Sequence, residues 1–331
     1  EGNHVTSRRI DNYVYLVSNH YPNYWIMEDV KDNDVELRPQ FSDTANKEES
    51  MLIPYEKIQY IPGSTETNFT LIAAFDLNEP KKEASITSYI GSGNQIYMSK
   101  DNIYVAVSNY YAVPFKAGGA IDSPNTSLYK FSVVKDKVEF HSSTEVPGTI
   151  LNQFSMDEYN GTFRVATTKG DTWNTNKPSA NNLYIYDENL KQIGSLSDLA
   201  RGERIYSARF IGERIYIVTF KQVDPLFVID ASNPKDPKVL GELKIPGFSN
   251  YLHPYDENHL IGFGYDTKVV ADKTVTSEPM VYTDGIKISL FDIRDVNNPK
   301  EKFTEIIGGR GTYSPLNYDH KALLFNKEKG I

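Results

Sequence analysis

The chain has no cysteine, only two tryptophans, and no apolar run near the ~20 residues that a membrane-spanning helix needs. The absence of cysteine excludes disulfides, thiolate chemistry and Cys-ligated metals. It leaves the compartment open, because disulfide-free chains occur on both sides of a membrane. Positive charge is in the minority, with 35 Lys and Arg against 44 Asp and Glu, a formal net charge of −9. Neither a basic stripe nor an aromatic RNA-binding motif occurs, so nucleic acid is not the expected partner. Helix signals are weak everywhere, the best being one turn at 198–200. The chain opens on Glu1 without a Met or a signal-like segment, as a processed or internal fragment does.

What the chain has in abundance is strand-forming residues. Its 23 Tyr and 16 Phe favour strand over helix, and its 331 residues suffice for one large all-β domain. A pattern recurs five times. An apolar strand closes on a polar residue, then come a short turn, a second strand and a glycine. The closing pairs are Phe75-Asp76, Phe131-Ser132, Tyr186-Asp187, Ile229-Asp230 and Phe291-Asp292, and the glycines are Gly93, Gly148, Gly202, Gly247 and Gly309. A repeat of roughly 40 to 60 residues built from short strands reads as a propeller blade or another stacked array.

Each repeat has two halves. In the clearest one, 204–210 and 214–220 read as strands joined by a tight turn, and 226–230 with 238–244 make the second pair across a Ser-Asn-Pro-Lys-Asp-Pro linker. First pairs recur at 4–18, 95–108, 149–168, 249–264 and 311–326, giving six first pairs against five second pairs. The expectation is an all-β chain, a single β-propeller domain over 1–331 with at least six four-stranded blades. The last blade is incomplete, its remainder lying beyond Ile331 or replaced by a terminal segment that closes the ring. Insertions at 19–68, 109–126, 169–182 and 265–285 all fall between the second and third strands of a repeat. Equivalent positions share a face, so these loops should crowd one end of the ring, where long loops tend to carry function.

Most polar clusters have a structural explanation. The closing Asp76, Asp187, Asp230 and Asp292 suit turn capping better than cation binding. His253, His259 and His320 match no metal spacing, so no metal or cofactor is expected. The oxygen-rich run at 29–36 lacks the order of a calcium loop and reads as a solvated acidic loop. Arg201, Arg204, Arg209 and Arg214 beside Glu203 and Glu213 read as surface ion pairs, and the alignment of Arg8 with Arg209 suggests a position used for packing between blades. No nucleophile elbow or phosphate-binding glycine loop occurs. Carboxylate pairs for glycoside hydrolysis need only spatial proximity, and nothing in the sequence picks them out.

Two groups remain as candidate sites. The loop aromatics Tyr24, Trp25, Tyr110, Tyr111, Phe115, Trp173, Tyr265 and Tyr282 include both tryptophans, and such rings suit sugars or protein hot spots. The alternative is that they pin the loops onto the ring. The starts of the first strands supply Arg8, Tyr206, Ser207, Ser249, Tyr251 and Tyr313 at the mouth of a central channel.

The stretches "ERIYSARFIGERIYIVTF", "DPLFVIDASNPKDPKVLGELKIPGFSNYLHPYDENHLIGFGYD" and "TYSPLNYDHKALLFNKEKG" resemble bacterial and archaeal secreted proteins with a C-terminal β-propeller distantly related to WD40 repeats. The segment "LFVIDASNPKDPKVLGELKIPG" is also similar to LVIVD-type repeats of surface proteins. The resemblance implies a propeller, a secreted or envelope-attached setting and further domains in the full-length protein. It brings no catalytic residues. The preferred function is a non-enzymatic binding module that engages a protein or cell-envelope polysaccharide through the loop-bearing face. The alternatives are a glycan hydrolase or lyase working at the channel mouth, and a structural spacer within a larger surface protein.

Overall fold

The computed structural model describes residues 2–23, 36–44, 47–60, 67–93, 95–109, 124–174, 176–221, 224–270 and 280–331. These residues form two compact units, the first holding the residues before Pro147 other than 113–124, the second the rest.

The first unit contains two large sheets. Sheet I has the order β1 (Asn3–Ile10), β2 (Tyr13–His20), β6 (Phe69–Asp76), β7 (Ser85–Ile90). The insertion at 19–68 is not wholly loop. It carries a hairpin, β3 (Gln40–Asp43) with β4 (Lys47–Leu52), and β5 (Ile58–Tyr60), which pairs parallel to β7 as a fifth strand of sheet I. Sheet II comprises β8 (Gln95–Met98), β9 (Asn102–Ser108), β10 (Thr126–Val134) and β11 (Lys137–Val146) in sequential antiparallel order. Tyr15, Val17, Ile72, Ala74 and Tyr89 of sheet I pack on Ile103, Val105 and Phe131 of sheet II.

The second unit repeats the plan three times. Sheet III is β12 (Met156–Tyr159), β13 (Thr162–Lys169), β14 (Ala180–Tyr186) and β15 (Gln192–Leu199). Sheet IV is β16 (Arg204–Ile211), β17 (Arg214–Phe220), β18 (Asp224–Asp230) and β19 (Lys238–Ile245). Sheet V is β20 (Phe248–Asp256), β21 (His259–Val270), β22 (Met280–Asp292) and β23 (Lys300–Ile307). Strand β17 shows why its sequence is apolar throughout: Ile215 and Ile217 pack toward sheet III while Tyr216 and Val218 pack toward sheet V. A strand buried on both faces loses the polar alternation of a surface strand.

Contacts between sheets follow from the turns. The closing aspartates cap them as expected: Asp76, Asp187, Asp230 and Asp292 each accept the backbone N–H two residues on. The turn at 233–235 then lies directly on β15 at Gly194, and the turn at 296–297 lies on β19 at Gly241. Of the glycines that punctuate the repeat, Gly148 and Gly247 have positive φ and leave 2.6 and 2.5 Å between a would-be Cβ and a backbone carbonyl oxygen. Only glycine meets both demands. Arg164 crosses from sheet III to sheet IV. It is 2% exposed, pairs with Asp157, donates to the Gly212 carbonyl at 2.7 Å and lies over the Tyr159 and Phe210 rings.

Two expectations change at the C-terminal side. The insertion at 265–285 is, in its described part, an extension of the β21–β22 hairpin, which continues from Thr267↔Thr283 to Val270↔Met280 past a bulge at Tyr265. The segment 311–326, expected as the first pair of a sixth blade, forms no strand. It makes two single 3₁₀ turns, Pro315–Asn317 and His320–Ala322. Pro315 lacks a ladder donor, and Ser314 Oγ and Asp319 Oδ1 accept N–H groups two residues on, so local capping outcompetes pairing.

Candidate functional site

Strands β16 and β20 each carry a bulge one residue after the ladder begins. The register passes from Ile205 directly to Ser207, and from Ser249 directly to Tyr251, leaving Tyr206 and Asn250 unpaired in their ladders. A bulge re-aims the extra side chain, and here both line one cavity. Its volume is about 520 Å³, within the ordinary range for small-molecule sites. The remaining wall comes from Leu151 and Asn152 before β12, Arg204 and Ile205, Phe248, Tyr265 and Thr283 of the β21–β22 hairpin, and Asn317 and Tyr318. The wall thus draws on the first strands and on the hairpin that carries the fourth insertion.

Aromatic packing sets the wall's shape. Phe248 lies 4.6 Å from both Tyr206 and Phe220 and 5.9 Å from Tyr265, centroid to centroid. The Arg204 guanidinium stands 4.8 Å over the Tyr206 ring and donates to its hydroxyl at 3.1 Å. Amides supply the rest of the polarity. Asn152 caps the 3₁₀ turn at Gln153–Ser155, and Asn250 Nδ2 donates to Asn317 Oδ1 at 3.2 Å. Asn317 Nδ2 is buried with no hydrogen-bond partner. Among the described residues the wall holds one cation and no carboxylate or histidine.

The same strands hold a second cluster. Arg209 of β16 lies 4.9 Å over Phe154 in the turn before sheet III and 5.8 Å over Tyr251 of sheet V, and burial pushes its pKa down. His320 meets Phe154 edge-on at 4.8 Å, and His253 meets Phe325 at 4.5 Å. Burial and then the charge of Arg209 hold His253 below its usual pKa. This cluster fastens His320 and Phe325 against the 153–155 turn and β20. The expectation that arginine at this position packs between blades fits Arg209.

The sequence candidates separate accordingly. Tyr206 and Tyr265 line the cavity, and Tyr282 adjoins Thr283 of its wall, with the Arg310 guanidinium 5.1 Å over its ring. Tyr313 is exposed and stacks on the wall residue Tyr318 at 5.9 Å. Ser207 and Ser249 are not wall residues. Both are buried, and Ser207 Oγ donates to the Ser249 carbonyl between β16 and β20, because the bulges turn their neighbours outward instead. Tyr251 is buried in the second cluster, its hydroxyl 3.3 Å from His253 Nδ1. Trp173 is 77% exposed with the Lys221 ammonium 5.6 Å over its ring. Arg8, in the first unit, donates to Thr6 Oγ1 and the Ser7 carbonyl. Tyr24, Trp25, Tyr110, Tyr111 and Phe115 lie outside the described residues. The reading of the arginine run as surface ion pairs applies to Arg201 and Arg214, which pair with Asp198 and Asp230; Arg204 and Arg209 lie over rings instead. Asn152, Arg204, Phe248, Asn250, Asn317 and Tyr318 escaped the sequence reading as wall residues. For Asn250 a signal existed, since it aligns with Tyr206.

The chain is similar to two uncharacterized archaeal proteins. One from Methanocaldococcus jannaschii is 54% identical over 192 residues, 57% of this chain. One from Archaeoglobus fulgidus is 36% identical over 278 residues, 83% of this chain. The matched regions are 28% and 40% of those proteins, so the chain spans less than half the length of each. Among the described residues no helix is long and apolar enough to cross a membrane. The sequence matches the beta propeller domain family over residues 1–331, and the chain belongs to that family.

Proposed function

We propose that this chain is an extracytoplasmic binding module that takes a sugar ring of a cell-envelope polysaccharide into the second unit's cavity. One observation carries the reading: rings of Tyr206, Phe248, Tyr265 and Tyr318 share a wall with the amides of Asn152, Asn250 and Asn317 and no carboxylate among the described residues. Aromatic faces suit the C–H faces of a pyranose, and amides suit its hydroxyls. A glycosidase would need two carboxylates flanking the scissile bond, and the described wall supplies none. The extracytoplasmic setting rests on the resemblance to secreted propellers. Propeller domains in general serve interactions, and strands β16, β20, β21 and β22 supply most of the wall residues.

The test is capture of the purified protein on isolated envelope polysaccharide and, separately, on envelope protein extract, beside a Tyr206→Ala/Tyr265→Ala double variant whose fold is checked by circular dichroism. The expected result is retention on polysaccharide, weakened at least about tenfold by loss of the two rings, with no new chain ends formed. Retention on protein alone, equal retention of the variant, or cleavage of the polymer would each overturn the reading.

A further inference from the structure

The second unit has seven arginines, and they divide cleanly. Arg164, Arg201, Arg214 and Arg294 pair with Asp157, Asp198, Asp230 and Asp292. Arg204, Arg209 and Arg310 have no carboxylate within ion-pair reach among the described residues, and all three lie over aromatic rings. Arg209 is spent on packing between sheets. Arg204 lines the cavity, and Arg310 covers Tyr282 beside the wall residue Thr283. In a chain of net charge −9, carboxylates are plentiful, so an unpaired guanidinium at a cavity wall is not a by-product of a basic surface. Its neighbour Glu203 accepts a hydrogen bond from Thr219 Oγ1, and burial raises the pKa of that carboxyl.

A guanidinium held over a ring is fixed in direction while part of its N–H edge stays free. That edge matches a carboxylate in two parallel hydrogen bonds, which an ammonium cannot reproduce. The amide side chains of Asn152 and Asn250 stand in the same wall to complete the shell. One accessible cation balances one negative charge, which suits a carboxylate better than a doubly charged phosphate monoester.

We propose that the cavity is specific for a carboxylate-bearing sugar, a hexuronate unit of an acidic polysaccharide, with Arg204 contacting the carboxylate. This deepens the saccharide reading and rests on it. Arg204 is a specificity residue: the rings hold the sugar, and the guanidinium selects the acid.

The experiment is titration calorimetry of the purified chain with tetramers of galacturonate, glucuronate and mannuronate, each beside its fully methyl-esterified counterpart. At least one acid tetramer is expected to bind about tenfold to a hundredfold more tightly than its ester, as a charge-assisted hydrogen-bond pair implies. Arg204→Gln should remove that preference, so that acid and ester bind alike, whereas Arg294→Gln, altering a guanidinium already paired with Asp292, should keep it. Tyr265→Ala should weaken acid and ester together. Equal binding of acid and ester, or a preference that survives in Arg204→Gln, overturns the uronate assignment while leaving the saccharide site intact. Failure of every acid and every ester to bind overturns the saccharide reading itself.

Discussion

Gly194 is the sharpest probe of how sheets III and IV meet. Its backbone is ordinary extended strand, so alanine is not excluded by conformation. Space excludes it: a Cβ there would lie 2.0 Å from the Pro234 carbonyl oxygen and 3.0 Å from Lys235 Cα. Ordinary contact needs about 3.4 Å, so the turn must retreat by more than 1 Å. That turn is itself pinned, since Asn233 Oδ1 accepts from the Lys235 N–H and the Asn233 carbonyl from the Asp236 N–H. Both colliding groups are backbone, and no rotamer change relieves them. Overpacking of this kind costs about 1 to 3 kcal/mol, and two rigid sheets place Gly194→Ala at about 3. Gly309→Ala is the matched control, because nothing lies within 4 Å of its Cβ position. It should be neutral or stabilising by up to about 1 kcal/mol through the unfolded chain. Urea unfolding followed by circular dichroism reads both; at a slope of about 3 kcal/mol/M, Gly194→Ala should lower the midpoint by roughly 1 M. A Gly194→Ala protein within about 0.5 kcal/mol of the parent would refute direct seating of the 233–235 turn on β15.

Other outcomes follow from the same packing. Asp157→Ala leaves the Arg164 guanidinium buried without its carboxylate, and should cost about 3 to 5 kcal/mol in urea unfolding; a loss under about 1 would show that the ion pair is not needed. Burial pushes the Tyr89 hydroxyl, which donates to the Val138 carbonyl at 3.0 Å, up to about 12 from an ordinary 10. The folded state therefore holds this proton more tightly than the unfolded chain. The resulting stabilisation, complete below pH 10, is lost as pH rises toward about 12 and amounts to about 2 to 3 kcal/mol. Unfolding midpoints across that range should fall less steeply in Tyr89→Phe, and identical slopes would refute the assignment.

The architecture was legible because strands write their burial into a period of two and their turns into Asp, Asn, Pro and Gly. The pattern of "RIYIVTF" followed by "LFVID" is enough to place β17 and β18, and the closing aspartates could be assigned to turns on chemistry alone. Ser207 and Ser249 show where that logic stops. The strand starts offer Tyr206 with Ser207 and Ser249 with Tyr251 as equal candidates, and a single bulged residue in each strand leaves Tyr206 and Asn250 in the wall. A bulge is a choice of pairing register with a partner strand, and no local residue announces it. The segment 311–326 is a similar case, with strand-like aromatics outweighed by a proline and two caps.

By itself the sequence determined the all-β class, the repeat of short strands and the family. These rest on local propensity and on spacing along one chain. Only the tertiary structure decided which side chains share the cavity wall, since Asn152, Arg204, Asn250, Tyr265 and Asn317 come from separate stretches brought together by the stacking of three sheets. Only the structure divided the arginines into those with an aspartate and those over a ring, because distances between strands, not order along the chain, set which charges meet.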